Sequence, residues 1–498
     1  MTATLAEFVR KMLAGHSALG LAVAAVMYLV CLSGTLSVFY QEFERWEQPT
    51  AAESLAYSPQ SVATLARRAL DAVPERGDEP LYLSLPTEAA PRLTASIGEN
   101  GWIAHADGTL QQPFRHDWTH FLLRLHVYLH LDGVVGTTLV GSAGAMLFAL
   151  IVSGVLAHPN ILRDAFVLRF GGSARLTQTD LHNRLSVWGL PFHLAIAITG
   201  AFIGLSSALI FVVAAAFYGG DTRAAGAPLF GPEPQRVDAA AEPADLAAAL
   251  QNLAALAPER RPNFIVVDHP GTAGQRVTIN TDVPRRLVYS ERYTFDSAGS
   301  LTGVLGLADG PAAKQIYASV YPVHFGNFGG LPVKVTYALL GFALCAIAVT
   351  GVNVWIEKRR QARHATRRLD AAWRAVIWGA PLGIAASALG ALALSLSATA
   401  VFWTVLLGCV VASRWIDDRV AWSRHLRIAC GVACAAVPVV HAIEFGAAAA
   451  SPAALVVNTV WTVLALVVLG LPWFGAAIAP RSTVADNGGN ATGNLRGG

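Results

Sequence analysis

Charge is what this sequence has least of. Asp, Glu, Lys and Arg make up 14% of its 498 residues, against about 25% in soluble globular domains. That deficit, beside 54% hydrophobic residues, excludes an ordinary soluble domain and points to a chain that meets lipid. The net charge of +3 is too small to suggest a nucleic-acid partner, and no basic stretch is interleaved with aromatics in a binding pattern. Cysteine is also scarce. Cys31, Cys345, Cys409, Cys430 and Cys434 lie in or beside apolar runs and form no CxxC pair. They read as small buried apolar residues rather than disulfides or metal ligands. No P-loop, GxGxxG cofactor motif or catalytic triad is recognisable.

What is present is long apolar runs. A membrane span needs about 20 mostly apolar residues, and eight stretches qualify: 17–40, 133–157, 185–215, 331–356, 375–394, 397–413, 428–447 and 454–478. The first is too long for a signal peptide, and no small-residue cleavage site precedes Phe39-Tyr40-Gln41-Glu42. It reads as a retained span. Basic residues crowd the connections 158–184 (Arg163, Arg169, Arg175, Arg184), 357–374 (Lys358 to Arg374) and 414–427 (Arg414, Arg419, Arg424, Arg427). The positive-inside rule makes these loops and both termini cytoplasmic. The segments 41–125 and 217–322 then lie outside, in the periplasm if the host is Gram-negative. In each, a helix (Pro59 to Val73; Pro243 to Leu256) precedes short strands (Leu81–Leu85, Arg92–Ile97, Trp102–His105; Phe264–Val267, Arg276–Ile279, Arg292–Phe295). Each reads as a small α+β domain. The tail 481–498 is Gly/Asn/Thr-rich and reads as disordered.

A repeat runs through the first four spans. A histidine precedes a Ser/Thr-Gly pair by seventeen residues in span 1 (His16, Ser33-Gly34) and again in span 3 (His182, Thr199-Gly200). The interval is 27 in span 2 (His126, Ser153-Gly154) and 26 in span 4 (His324, Thr350-Gly351). Residues 1–157 and 171–356 therefore read as copies of one two-span unit, with the second copy's spans over 185–356. A basic loop (357–374) and a four-helix extension (375–480) follow. The expected fold class is an α-helical polytopic membrane protein of about eight transmembrane helices, built on duplicated two-helix units.

Orientation places His16 and His182 at the cytoplasmic face and His126 and His324 at the outer face, one pair per face. The levels are roughly 20–30 Å apart at about 1.5 Å per residue. Two histidines on facing helices can hold a haem iron axially, and polar groups retained in a bilayer are usually functional. A zinc site would want a third ligand, and no Cys, Asp or Glu is evident near either pair. The neighbouring Gly34, Gly154, Gly200 and Gly351 would admit a flat macrocycle, or equally allow tight helix packing. His130, four residues after His126, and His193, eleven after His182, lie on the same helical faces and stand as alternative ligands. Trp46, Trp118, Trp188 and Trp355 read as interfacial anchors.

The ordered set His16-Ser-Ala-Leu-Gly20 with Leu32-Ser-Gly-Thr35, Leu125-His126 with Gly133 and Gly136, Asp180-Leu-His-Asn183 with Thr199-Gly200, and His324-Phe-Gly-Asn-Phe-Gly329 with Thr350-Gly351 and Trp355 resembles the PepSY-associated transmembrane family. That family includes iron-regulated membrane proteins and siderophore-iron reductases. The resemblance covers roughly residues 8–360 and implies PepSY-like outer domains, with His16, His126, His182 and His324 as ligands of two haem b groups. It implies an oxidoreductase of the inner membrane that passes electrons from a cytoplasmic or quinol donor to periplasmic ferric siderophore, releasing Fe(II). The four spans after residue 372 depart from the family pattern. Two other readings remain: a non-enzymatic, membrane-anchored PepSY module that binds or restrains a periplasmic protein, and, ranked last, a transporter.

Overall fold

A computed structural model describes residues 3–158, 161, 174–234, 236–237, 239–364 and 366–478. Arg163, Arg169 and the 481–498 tail, expected to be cytoplasmic and, for the tail, disordered, lie outside the described residues.

Among the described residues seven helices are long and apolar enough to cross a membrane, and two further bent pairs bring the number to as many as nine. The first span is α1 (Ala3–Ser37). A short amphipathic helix, α2 (Tyr40–Glu47), follows at once, and its Phe43 and Trp46 are buried. The helix α3 (Pro59–Ala72) starts on a reciprocal cap: Ser61 N donates to Ser58 Oγ, Ser58 N donates to Ser61 Oγ, and Pro59 fixes the first turn. Strands β1 (Leu81–Ser84), β2 (Leu93–Ile97), β3 (Asn100–Ala104) and β4 (Leu110–Pro113) come next. The helix α4 (Asp117–Tyr128) carries His126 in its last turn, and the span α5 (Gly133–Ala157) follows.

The second half repeats this order around a broken span. Helices α6 (Ala174–Trp188) and α7 (Leu190–Gly204) meet at 72°. Gly189 and Pro191 explain the break, because proline has no N–H to donate and its ring clashes with the carbonyl four residues back. Helices α8 (Ser206–Phe217) and α9 (Thr222–Phe230) meet at 119°. The apolar stretch 185–215, expected as one span, is thus divided at Gly189 and again at Leu205, and the first arm of the broken span reaches back to Arg175. Next come α10 (Leu246–Leu256), capped by Asp245 on Ala248 N, and β5 (Arg261–Asp268), β6 (Arg276–Asp282), β7 (Glu291–Phe295) and β8 (Leu301–Val304). The helix α11 (Ala312–Phe325) carries His324 in its last turn, ahead of the span α12 (Gly330–Gln361).

The outer segments, expected as two separate domains, share one antiparallel sheet of order β4-β3-β2-β1-β5-β6-β7-β8. The halves join where β1 pairs with β5, with Leu83 opposite Ile265. The joint follows from the alternation of side chains. Leu81, Leu83, Ile265 and Val267 point to one face and share a single core with Val62 and Leu65 of α3 and Leu250 and Leu253 of α10. Neither four-stranded half leaves an exposed edge at the seam. Six of these strands lie where the sequence pattern placed them, whereas β4 and β8, of four residues each, were not expected.

Within the membrane α1 packs on both α5 and α12, α5 on α7, and α12 on α6. Small residues set the closest crossing: a Cβ on Gly141 of α5 would stand 2.6 Å from the Gly204 backbone of α7. The C-terminal helices α13 (Arg367–Leu394), α14 (Ala398–Ala412), α15 (Arg419–Phe445) and α16 (Pro452–Ile478) dock on α1, α2 and α4. Trp46 and Trp118, expected at the membrane interface, are instead buried under this extension. Trp46 Nε1 donates to Asn458 Oδ1 (2.9 Å) and Trp118 Nε1 to Ser387 Oγ (3.1 Å).

Candidate functional site: two histidine pairs

A histidine carried into an apolar bundle must satisfy its ring nitrogens. The Nδ1 of His16 on α1 meets the Leu150 carbonyl and Ser153 Oγ of α5, both at 3.1 Å. His126 on α4 meets the Val30 carbonyl of α1 at 2.9 Å. His182 on α6 meets the Ile347 carbonyl and Thr350 Oγ1 of α12 at 3.0 and 3.3 Å. His324 on α11 meets Thr199 Oγ1 of α7 at 3.0 Å.

The four contacts follow one rule. Each ring lies against the glycine of a Ser/Thr-Gly pair on a partner helix. A Cβ added at Gly34 would stand 2.5 Å from His126 Cε1, one at Gly200 3.0 Å from His324 Cε1, one at Gly351 3.2 Å from His182 Cε1, and one at Gly154 3.3 Å from His16 Cε1. The small residues expected either to admit a macrocycle or to pack helices directly are therefore imidazole sockets. The sequence reading tied each histidine to the pair in its own span. The structure crosses them: span 1 seats the histidine that precedes span 2, and span 2 seats that of span 1. Spans 3 and 4 do the same.

These sockets fix the tautomer. Backbone carbonyls accept only. Thr199 Oγ1 donates to the Ala195 carbonyl (2.6 Å) and Thr350 Oγ1 to that of Ala346 (2.7 Å), so both hydroxyls are left to accept from the histidine. Nδ1 is then the protonated nitrogen, and the Nε2 lone pair is available to a metal.

The rings come together in the expected pairs. The His16 and His182 centroids are 6.3 Å apart, and those of His126 and His324 are 6.1 Å apart. The second pair lies beside the sheet and the first at the opposite end of the bundle, where His16 reaches the last turns of α5. Two imidazole nitrogens each about 2 Å from one metal ion, with ring centres roughly 1 Å behind them, would put the centroids about 6 Å apart. Both centroid separations match that spacing. Among the described residues no group of three or more His, Cys, Asp or Glu side chains is assembled. A metal that brings its other ligands in a macrocycle suits a pair.

The two alternative ligands separate. The helix α4 ends at Tyr128, and Leu129 and His130 take left-handed backbone conformations, so His130 does not share a face with His126. Its Nε2 meets the Phe121 carbonyl (2.9 Å), and its Nδ1 accepts from Trp403 Nε1 (3.0 Å). Both nitrogens are occupied, and the residue ties α4 to α14. His193 lies beyond the bend at Gly189, so it does not continue the face of His182. It is buried, bonds the Leu340 backbone, and has no partner at Nε2 among the described residues. The carbonyls of Val30, Leu150 and Ile347 were invisible to sequence reasoning, because any residue supplies a carbonyl.

The fold is thus that of a polytopic membrane protein that pairs histidines at two levels of one bundle. The model of the PepSY-associated TM region matches residues 13–358, and the chain belongs to that family. It is also similar to the uncharacterized protein PA4219 of Pseudomonas aeruginosa, 30% identical over 264 residues, a match that takes in 50% of this chain and 66% of that relative's length.

Proposed function

We propose that this chain carries electrons across the bacterial inner membrane and delivers them to an acceptor on the sheet side, a ferric siderophore. The two halves act as copies of one two-span unit, each supplying one histidine to either pair. His16 and His182 would hold one haem b, and His126 and His324 a second. Haem at both levels supplies one-electron redox chemistry near either face of the membrane. The observation that carries this reading is the four-fold repetition of one seating, which protonates Nδ1 and would leave Nε2 as a ligand, together with ring separations of 6.3 and 6.1 Å that suit one metal ion between two imidazoles. The chain's own work is to fix ring orientation, since a carbonyl or hydroxyl behind Nδ1 holds the imidazole and raises its basicity. Arg175, Lys358, Arg359, Arg360 and Arg419 lie at the helix ends away from the sheet, which supports a cytoplasmic placement of that face and of both termini. The donor, cytoplasmic or quinol, meets the His16 and His182 face. One electron per ferric ion suffices at the other face, and hard oxygen chelators hold Fe(II) less tightly than Fe(III).

Absorbance of the protein purified in detergent tests the reading. The expected result is a Soret band that shifts on dithionite reduction, at two haems per chain. A folded, colourless protein overturns it and leaves a membrane-anchored binding module.

A further inference from the structure

The sheet has a second face, turned away from α3 and α10. In the second half this face borders a cavity of about 420 Å³ whose lining includes Phe264, Asp268, Arg276, Asn280, Tyr289 and Arg292, a volume in the range of small-ligand sites. Its two arginines differ. Arg276 is neutralised by Asp268 at 3.0 Å and donates to the Pro232 carbonyl. The Arg292 guanidinium donates to neutral groups, Nε to Asn280 Oδ1 at 3.2 Å and Nη2 to Tyr289 Oη at 2.8 Å, while its backbone N–H donates to Glu291 Oε1 at 3.0 Å. Its neighbour Glu291 is buried, and its carboxylate accepts from the backbone N–H groups of Gly306, Leu307 and Ala308. Among the described residues no carboxylate forms an ion pair with Arg292. A guanidinium has five donors, and two are used here. A partly buried, uncompensated arginine with free donors over a cavity is an anion receptor.

The cavity is also connected to a histidine pair. Tyr289 N donates to the Ala318 carbonyl of α11 at 3.0 Å. The Tyr289 ring lies 5.8 Å from that of Tyr321, Tyr321 stacks on Phe325 at 5.6 Å, and Phe325 lies 5.8 Å from His324. Aromatic rings in contact lead from the anion receptor to the sheet-side pair. In the first half the strand side chains Tyr82, Ser84, Thr94 and Ser96 on the same sheet face are uncharged, and Arg92, just before β2, is paired with Glu53 at 3.2 Å.

We infer that the Arg292–Tyr289 cavity is the docking site of the electron acceptor, and that it selects an anionic, oxygen-rich iron chelate over a cationic one. This deepens the proposed function and rests on it for the word acceptor. The binding site itself stands on the cavity and the unpaired guanidinium.

Gallium(III) chelates test the site without redox chemistry, since gallium(III) has the charge of ferric iron and is not reduced by biological donors. Titration calorimetry of the full chain in detergent would compare a hexadentate tris-catecholate complex of gallium(III) with a trihydroxamate complex of net charge +1. The tris-catecholate complex should bind at least tenfold more tightly. Arg292→Gln should remove that preference, Arg292→Lys should keep part of it, and Tyr289→Phe, which removes only the hydroxyl that orients Arg292, should weaken binding several-fold. Equal binding of both complexes by the unaltered protein, or tris-catecholate binding unchanged in Arg292→Gln, overturns the proposal. The Soret band of the same samples separates the two readings. A colourless protein that binds the gallium complex through Arg292 keeps the site and loses the electron-transfer function. A haem-loaded protein whose binding ignores Arg292 does the reverse.

Discussion

In the first half, the sheet-side ends of the helices are sealed. Trp46 and Trp118 are buried beneath α13 and α16, Trp46 stacks on His441 at 4.8 Å, and the His441 imidazole meets the Trp46 carbonyl at 2.9 Å. In the second half the corresponding region carries a cavity with an unpaired arginine, and its first span is bent at Gly189. Yet all four histidine sockets are alike. The halves therefore agree at the histidines and differ on the sheet. Each of these four histidines has an acceptor behind Nδ1 and a glycine against its ring. The sheet face beyond the membrane shows no such uniformity, with Arg276 and Arg292 on the strands of the second half and Tyr82, Ser84, Thr94 and Ser96 on those of the first.

The largest expected effect would break the pairing itself. His182→Ala and His324→Ala should each lower the haem content from two to one per chain, measured as the pyridine haemochrome. An unchanged content in both would remove these residues as ligands. Next come the sockets, which differ in tightness. Gly34→Ala should displace His126 and cost most of the sheet-side haem, because its new Cβ would stand 2.5 Å from the ring, whereas Gly154→Ala, at 3.3 Å from His16, should leave haem content close to two. Equal effects would mean that the sockets do not position the rings.

A third change tests how α2 is tied to the second half. Lys334 of α12 is buried and donates to both Glu42 oxygens, at 2.8 and 2.9 Å. Lys334→Met leaves that carboxylate unpaired, at a cost of about 3 kcal/mol, the low end for a buried pair because Glu42 is partly exposed, and should lower the unfolding temperature in detergent. An unchanged temperature would make the contact incidental. A smaller effect concerns pH. Burial pushes the Glu44 and Glu47 carboxyls up to about 7 from an ordinary 4.5. Between those values the folded protein holds more protons than the unfolded chain, so stability should fall as pH rises through about 4.5 to 7. Glu44→Gln should flatten that slope, and a parallel profile would exclude Glu44 as a contributor. Smallest of all, His130→Ala should leave the haem content at two while loosening α14, since both His130 nitrogens are engaged. Loss of a haem would restore it as a ligand.

Much of the membrane part was legible in the sequence. The runs that became α1 and α5 are long, uncharged and uninterrupted, that of α12 carries only Lys334, and a bilayer leaves such a run no alternative to a helix. The histidine pairs followed from spacing and loop charge, both one-dimensional. The break in the third span escaped notice because Gly189-Leu-Pro191 sits inside an apolar run, where hydropathy outweighs a single proline.

The sequence by itself determined that this is a membrane protein with four histidines recurring at related places in its first four spans, because hydropathy and spacing need no partner to be read. The tertiary structure alone decided which glycine each histidine lies against, that the two outer segments close into one eight-stranded sheet, and that Arg292 borders a cavity whose one carboxylate, Asp268, is paired with Arg276 instead. Each of these depends on contacts between residues far apart in the chain. Neither a backbone carbonyl nor a missing counter-charge leaves a mark on the local sequence.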